Sequence, residues 1–446
     1  MSKRIALEHL PAASCFLLAA VAFLGQTVIP SSAQSVLNTR LRWEKLIYTD
    51  AKAAIEETSL EISKNPGNAL ALRMRSSGYY RNSEPEKGKA DAVAALALLK
   101  TPVDAQDFEA KCYAERRVEK YDEALLDCTK AIELDPKYTW AYYNRGNANE
   151  GKKRPDQAIA DYTKAIELNS NFVDAYSRRG FVYSENREYD KAIADYTKVI
   201  GLDPLRSSGF NSRGFVYYQK NEYDLAIADF TTAIKLDPKA AWTFANRGNA
   251  YWYKKEYDLA IADYTRAIEL APKDPSAYFY RGGAYAEKKE YDKAIVDFTK
   301  AIELAPKWAS AYVRRGTTYL FKNENGLAKA DFTKAVELEP AYSVPYYNRG
   351  IAFFNENQFD LAIADYTKAI ELDPKAVYAY NNRANSYEMK KEFDRAIADA
   401  TKAIELDPKL VSAYKIRSRA YEAKGEKVLS EKDRQKATEL EGTVNK

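Results

Sequence analysis

The chain is poorly supplied with residues that make and break bonds. It has 446 residues but one histidine, His9, and three cysteines, Cys15, Cys112 and Cys128. A serine triad, a general base near neutral pH and most zinc sites call on histidine. Cys112 and Cys128 lack metal-ligand spacing, and neither a Gly-rich phosphate loop nor G-x-S-x-G occurs. What recurs instead is an arginine followed sixteen residues later by an aspartate. The pairs are Arg145 with Asp161, Arg179 with Asp195, Arg213 with Asp229, Arg247 with Asp263 and Arg281 with Asp297. They continue as Arg315 with Asp331, Arg349 with Asp365, Arg383 with Asp399 and Arg417 with Asp433. Arg75 with Asp91 obeys the same spacing, and Lys111 with Asp127 is a near variant. A guanidinium and a carboxylate at a copied separation make an ion pair rather than a reaction centre. The carboxylates of the chain are plentiful but periodic, and most are expected at the surface. The expectation is a non-enzyme with no catalytic residue, cofactor or metal.

Such pairs need a repeating element to hold them. Prolines stand at 102, 136, 204, 238, 272, 306, 340, 374 and 408, in steps of 34 with one step of 68 centred on Ser170. Arg-Gly recurs at the same step from Arg145 to Arg349, then continues as Arg383-Ala384 and Arg417-Ser418. A fixed period of this length is the mark of stacked supersecondary units. Each unit reads as two helices. In 241–274, AWTFANRGNAYWYKK precedes EYDLAIADYTRAIELAPKD, which sets Ala260, Ile261, Tyr264, Ala267 and Ile268 on one helical stripe. The closing Asp-Pro is expected to cap the next helix, with Pro in its first turn. In an antiparallel hairpin turning near its fifteenth residue, positions sixteen apart face each other. That spacing predicts one ion pair per hairpin, with the glycine after each arginine allowing close helix approach. Cys112 occupies the glycine place in its unit and Cys128 the facing one. The two are spaced for a disulfide, or stand as two buried thiols.

The unit Phe244-x2-Arg247-Gly248-x2-Tyr251…Ala260-x3-Tyr264…Pro272 resembles the tetratricopeptide repeat (TPR) family, whose pattern is aromatic-x2-L-G-x2-Y…A-x3-F…P. Arginine where the family has leucine is the systematic departure. The resemblance covers nine regular units over 105–410, preceded by degenerate TPR-like hairpins at 34–104. A C-terminal capping hairpin follows at 411–446, where Ser430, Glu431 and Arg434 replace apolar or small residues. It implies an all-α fold, an α-solenoid forming a right-handed superhelix of about 11–12 TPR helix hairpins. It also implies a concave groove lined by the first helix of each unit.

The implied groove positions hold Trp140, Tyr143, Phe181, Phe215, Tyr218, Trp242, Trp252, Tyr253, Phe279, Phe321, Tyr347, Phe354 and Tyr378. Asn147, Asn211, Asn249 and Asn381 add amides able to pair with a peptide backbone. The charged residues there are acidic: Glu150, Asp174, Glu185, Glu287 and Glu388. A merely solvated face should be charged, so the lining suits a peptide or protein segment with apolar groups. Lacking Lys and Arg, it argues against an anionic partner, nucleic acid included. The same rings would stack on sugars, which leaves a carbohydrate-binding scaffold for polysaccharide export as the alternative. NSRGFVYY (211–218) looks like the RNA-stacking RNP1 strand, yet it is one step of the 34-residue period and lies on a predicted helix. A formal net charge of +4 over the whole chain supplies no strong drive toward phosphate backbones.

Residues 1–33 read as a secretory signal peptide. Lys3 and Arg4 precede an uncharged, mostly apolar run at 14–29, and small residues lead to a cut between Ala33 and Gln34. The run is short for a membrane span. The expectation is an exported protein with no stable span after signal removal, periplasmic in a Gram-negative source and otherwise secreted. Such a setting permits the disulfide.

Overall fold

A computed structural model of the chain describes residues 31–444. The apolar run of the expected signal lies outside the described residues, and the Ala33–Gln34 junction falls within the first helix, Ser31–Thr49. Among the described residues all regular structure is helical, 24 helices joined as successive antiparallel hairpins. The hairpins form two compact parts, divided after Glu222.

The hairpin Ala241–Tyr253 and Tyr257–Leu270 shows the plan. Its turn is set by Lys255, whose φ of +62° is left-handed. That conformation aims the Glu256 amide at the Tyr251 carbonyl (2.9 Å) and the Lys255 amide at that of Trp252 (2.9 Å). This is the Schellman closure of a helix end. Lys153, Arg187, Lys289, Asn323, Asn357 and Lys391 repeat it, and among the described residues only Gly425 does so with glycine.

Below the turn, Gly248 faces Tyr264. A Cβ on this glycine would sit 2.8 Å from the tyrosine ring, so the ring packs directly on backbone. Gly146 with Tyr162, Gly316 with Phe332 and Gly350 with Tyr366 repeat the contact. Where the glycine is lost, its partner shrinks: Ala384 faces Ala400, both fully buried. In the hairpin of Ala105–Arg117 and Tyr121–Leu134 the same slot holds a disulfide, Cys112–Cys128, with Cα atoms 5.4 Å apart. The two thiols are therefore bonded. Replacing both by alanine copies the solution of Ala384 and Ala400, so packing survives while the cross-link is lost. Closing a loop of this length is worth about 3 kcal/mol. Melting curves of C112A/C128A should show a matching loss, reproduced by reducing the wild type; insensitivity to reductant would refute it.

The sixteen-residue rule is realised as two-pronged ion pairs. Arg247 Nε and Nη2 donate to the two carboxylate oxygens of Asp263, each at 2.8 Å. Built the same way are Arg75 with Asp91, Arg179 with Asp195, Arg281 with Asp297 and Arg315 with Asp331. So are Arg349 with Asp365, Arg383 with Asp399 and Arg417 with Asp433. Arg145 reaches Asp161 at 2.7 Å and Lys111 reaches Asp127 at 2.8 Å. Arg213 and Asp229 lie on opposite sides of the Glu222 division.

One expectation about these pairs needs correction, and their depth is new. The paired aspartates are buried. Asp161, Asp195, Asp229, Asp263, Asp297, Asp331, Asp365, Asp399 and Asp433 each keep only 3–8% of their surface in contact with water. A carboxylate this far from water is held by the guanidinium fork, which replaces the lost hydration with two charge-assisted bonds. They are structural groups rather than a surface open to a ligand. A pair confined to one hairpin is too narrow a reading. The remaining prong, Nη1, donates to a threonine on the second helix of the preceding hairpin: Arg247 to Thr231 (3.0 Å), Arg281 to Thr265 (3.0 Å), Arg213 to Thr197 (3.1 Å). Arg247 and Arg281 thus tie their own two helices together and anchor them to the unit before.

The closing Asp-Pro works differently from expectation. Asp135, Asp373 and Asp407 end the preceding helix, and their side chains accept the amide two residues on, from Lys137, Lys375 and Lys409. A short carboxylate in a tight turn meets that amide first. Asp274 is an exception; it caps Pro275–Glu287 through the Ser276 amide, with Pro275 opening the helix. In the last hairpin Glu431 and Arg434 are exposed as a polar end requires. Ser430 instead is buried against Ser418, its oxygen 3.0 Å from that hydroxyl.

Candidate binding surfaces

The anticipated lining residues divide into an exposed set and a packed set. In the part ending at Glu222, Phe181 and Phe215 are exposed, with Tyr218 half-buried beside Phe215. Trp140 and Tyr143 are half-buried against Phe172, ring centres 4.7 and 5.0 Å away. In the part beginning at Tyr223, Trp242 is 50% exposed and Tyr378 62%. Tyr253 and Phe321 are equally open but sit at the ends of their helices, stacked on Tyr223 and Tyr291 of the preceding second helix. They guard the turn edge. Trp252, Phe279, Tyr347 and Phe354 are half-buried and packed: Phe279 lies 4.4 Å from Trp308, Tyr347 6.0 Å from Tyr366, Phe354 5.5 Å from Phe359.

The amides are not available as expected. Asn147, Asn211 and Asn381 are buried. Asn147 donates to the Tyr143 carbonyl (2.8 Å), and Asn381 accepts from Ser412 (3.0 Å). Asn249 accepts the Tyr264 hydroxyl at 2.7 Å. Asn147 is thus engaged within its own helix, Asn249 by the second helix of its hairpin, and Asn381 by the next first helix. One register place further on, the position passed over carries Arg178, Tyr280 and Arg314, all three exposed. Its column, Asn144, Arg178, Ser212, Asn246, Tyr280, Arg314, Asn348 and Asn382, is the polar and variable one, the signal that could have revealed it.

The acidic lining is also corrected. A cavity of about 390 Å³ opens in the N-terminal part, and among its walls are Arg73, Arg81, Arg116, Arg117, Arg178 and Arg206. Asp174 serves two of them, Arg81 at 2.5 Å and Arg206 at 2.9 Å. Glu150 takes Arg178 at 3.3 Å. Cation–aromatic contacts join them: Arg117 lies 3.6 Å from the Tyr80 ring centre, and Arg116 and Arg117 lie 5.4 and 5.0 Å from that of Tyr113. The arginines come from several first helices, each with its own register, so no single column displays them.

Beneath the cavity lies a buried charge network the sequence did not announce. Glu109 is wholly buried and accepts from Arg73 (2.6 Å), Asn144 (2.6 Å) and the Tyr138 hydroxyl (3.1 Å), with Arg40 at 3.9 Å. Arg40 also touches the Tyr138 hydroxyl. Burial alone would ease protons off Arg40 and Arg73, but Tyr138, Glu44 and Glu109 outweigh it at Arg40, and Glu109 and Tyr138 at Arg73, holding both guanidiniums more firmly charged than usual. Burial pushes the Tyr138 phenol well up.

Hairpins stacked without strands among the described residues, with a ligand-sized wall of first-helix side chains, define a helical repeat scaffold. The chain belongs to the tetratricopeptide repeat family: its profiles match 113–153, 139–172, 173–204, 214–255, 246–308, 309–342, 344–376 and 377–410. It is 30% identical over 95 residues to rat (Rattus norvegicus) mitochondrial import receptor subunit TOM70, covering 21% of this chain and 15% of that receptor. The mouse (Mus musculus) receptor is 33% identical over 95 residues. The chain thus spans about 15% of the receptors' length. Among solved structures, YrrB, described as a TPR protein with an unusual peptide-binding site, is 28% identical over 41% of this chain and 95% of its own, with a TM-score of 0.36. MamA is 28% identical over 37% of this chain and 96% of its own, with a TM-score of 0.35. The family assigns this chain to protein–protein interaction scaffolds.

Proposed function

We propose that the protein is an exported, non-enzymatic scaffold that holds an extended peptide or protein segment along the first-helix face of its hairpins. The observation that carries this reading is the exposure of Phe181, Phe215, Trp242 and Tyr378 on first helices. Water-facing positions on a helix cost nothing to fill with Lys or Glu, and this chain does so on its turns. Large rings left in water on first helices suit a partner that covers them. Export rests on the pattern of residues 1–33, and exclusion of bulk nucleic acid on the low net charge.

The test is a crosslinking pull-down from the native envelope with the chain lacking residues 1–33. Trp242→Ala with Tyr378→Ala, both exposed, should lose at least about three-quarters of the partner captured by wild type while melting unchanged. Each buried aromatic anchor is typically worth about 2 kcal/mol of binding. Recovery of the same proteins in the same amounts would remove the reading. Capture of glycan in place of protein would transfer the surface to polysaccharide.

A further inference from the structure

The cavity in the N-terminal part presents a charge imbalance that its internal pairs leave uncorrected. Asp174 answers Arg81 and Arg206, Glu150 answers Arg178, and Glu109 answers Arg73. Among the described residues, Arg116 and Arg117 have no carboxylate in contact. They end the helix Ala105–Arg117, whose carbonyl terminus offers partial negative charge, and lie against the faces of Tyr80 and Tyr113. Neither arrangement supplies an acceptor to the N–H groups: the Nε atoms of both residues are buried without a hydrogen-bond partner. Arg116 Nη2 makes only a weak contact with Asn144 Oδ1, at 3.5 Å. Burial, reinforced by Arg117, pulls the Arg116 guanidinium down to about 10. Two adjacent guanidiniums held on aromatic rings, short of anions and facing a cavity of about 390 Å³, are built for an anionic ligand.

We propose that this cavity binds a dianionic oxyanion, phosphate or a phosphomonoester, on the guanidiniums of Arg116 and Arg117. Two uncompensated positive charges match the charge of a phosphomonoester near neutral pH, about −1.5 to −2, better than one carboxylate. Guanidinium forks meet tetrahedral oxyanions with paired N–H donors. The space exceeds what a bare ion needs, and Trp140 and Tyr143 on its wall offer a planar group of the ligand a surface to lie on. The site uses none of the exposed rings assigned above to a partner segment, so either proposal can fail alone.

Calorimetric titration of the chain lacking residues 1–33, at constant ionic strength in chloride, decides the matter with four probes: inorganic phosphate, phenyl phosphate, acetate and succinate. Saturable binding of inorganic phosphate or phenyl phosphate is expected, at least about tenfold tighter than acetate or succinate. Preference for phenyl phosphate assigns the anion to an ester with a planar group, and equal affinity assigns it to free phosphate. Arg116→Gln with Arg117→Gln should weaken binding at least about tenfold. Should the double variant fail to fold, Arg117→Gln alone is measured against the same threshold. Absence of saturable binding, equal binding of acetate or succinate, or an affinity unchanged in the folded variant would overturn the proposal.

Discussion

Glu109→Ala is expected to destabilise the N-terminal hairpins by about 3–5 kcal/mol, the usual cost of removing one partner from a buried ion pair. The carboxylate is wholly buried and takes hydrogen bonds from Arg73, Asn144 and Tyr138. Truncation leaves the almost inaccessible Arg73 and Arg40 side chains without their shared counter-charge. Glu109→Gln keeps the shape and an acceptor for Arg73 but loses the charge, so its cost should fall between wild type and alanine. Denaturant unfolding followed by helical circular dichroism measures both. An alanine variant within about 1 kcal/mol of wild type would mean that water enters and replaces the carboxylate, ending the account of a dry network.

The second large effect is a reversal of the usual order of single and double variants. Asp263→Ala alone is expected to cost about 3 kcal/mol, because Arg247 keeps its charge in a largely buried slot and loses both bonds to its partner. Arg247→Leu with Asp263→Ala should cost less than that single change. Leucine restores the residue of the family pattern and removes the stranded cation. Part of the difference will remain, since Arg247 also holds Thr231 of the preceding hairpin. A double-mutant cycle read from melting curves gives the coupling. A double variant less stable than Asp263→Ala would show that the guanidinium contributes more through the threonine and the rings of Phe244 and Tyr251 than through the aspartate.

Much of the fold was legible because a repeat writes the same physical demand many times. Proline, arginine, aspartate and the buried ring recur in step, so helix hairpins, the sixteen-residue ion pair and the glycine beneath Tyr264 followed from spacing. Spacing did not give the depth of those pairs: Asp195, Asp297, Asp331, Asp365, Asp399 and Asp433 are buried. The outcome at Cys112 was open, since spacing alone permits either a bond or two thiols. Reading a lining from register positions was less successful. Phe181, Phe215, Trp242 and Tyr378 do face water, yet Asn147 bonds its own helix, and Asn249 and Asn381 bond neighbouring ones. Register places a side chain on a face of its own helix; how near the next helix lies decides whether that side chain is exposed or consumed.

The sequence by itself determined the unit, its two helices and the contacts made within one period, because those depend on separations of at most a few tens of residues. Only the tertiary structure decided what non-equivalent residues of different hairpins make together. Arg40, Arg73, Glu109 and Tyr138 converge in one dry cluster, and Arg116 and Arg117 are left without an acid on a cavity wall shared with Arg178 and Arg206. These residues sit at places whose type changes from unit to unit. The physical reason is that stacking brings side chains from distant units within bonding distance, and a charge is paired or stranded by the neighbours it acquires there.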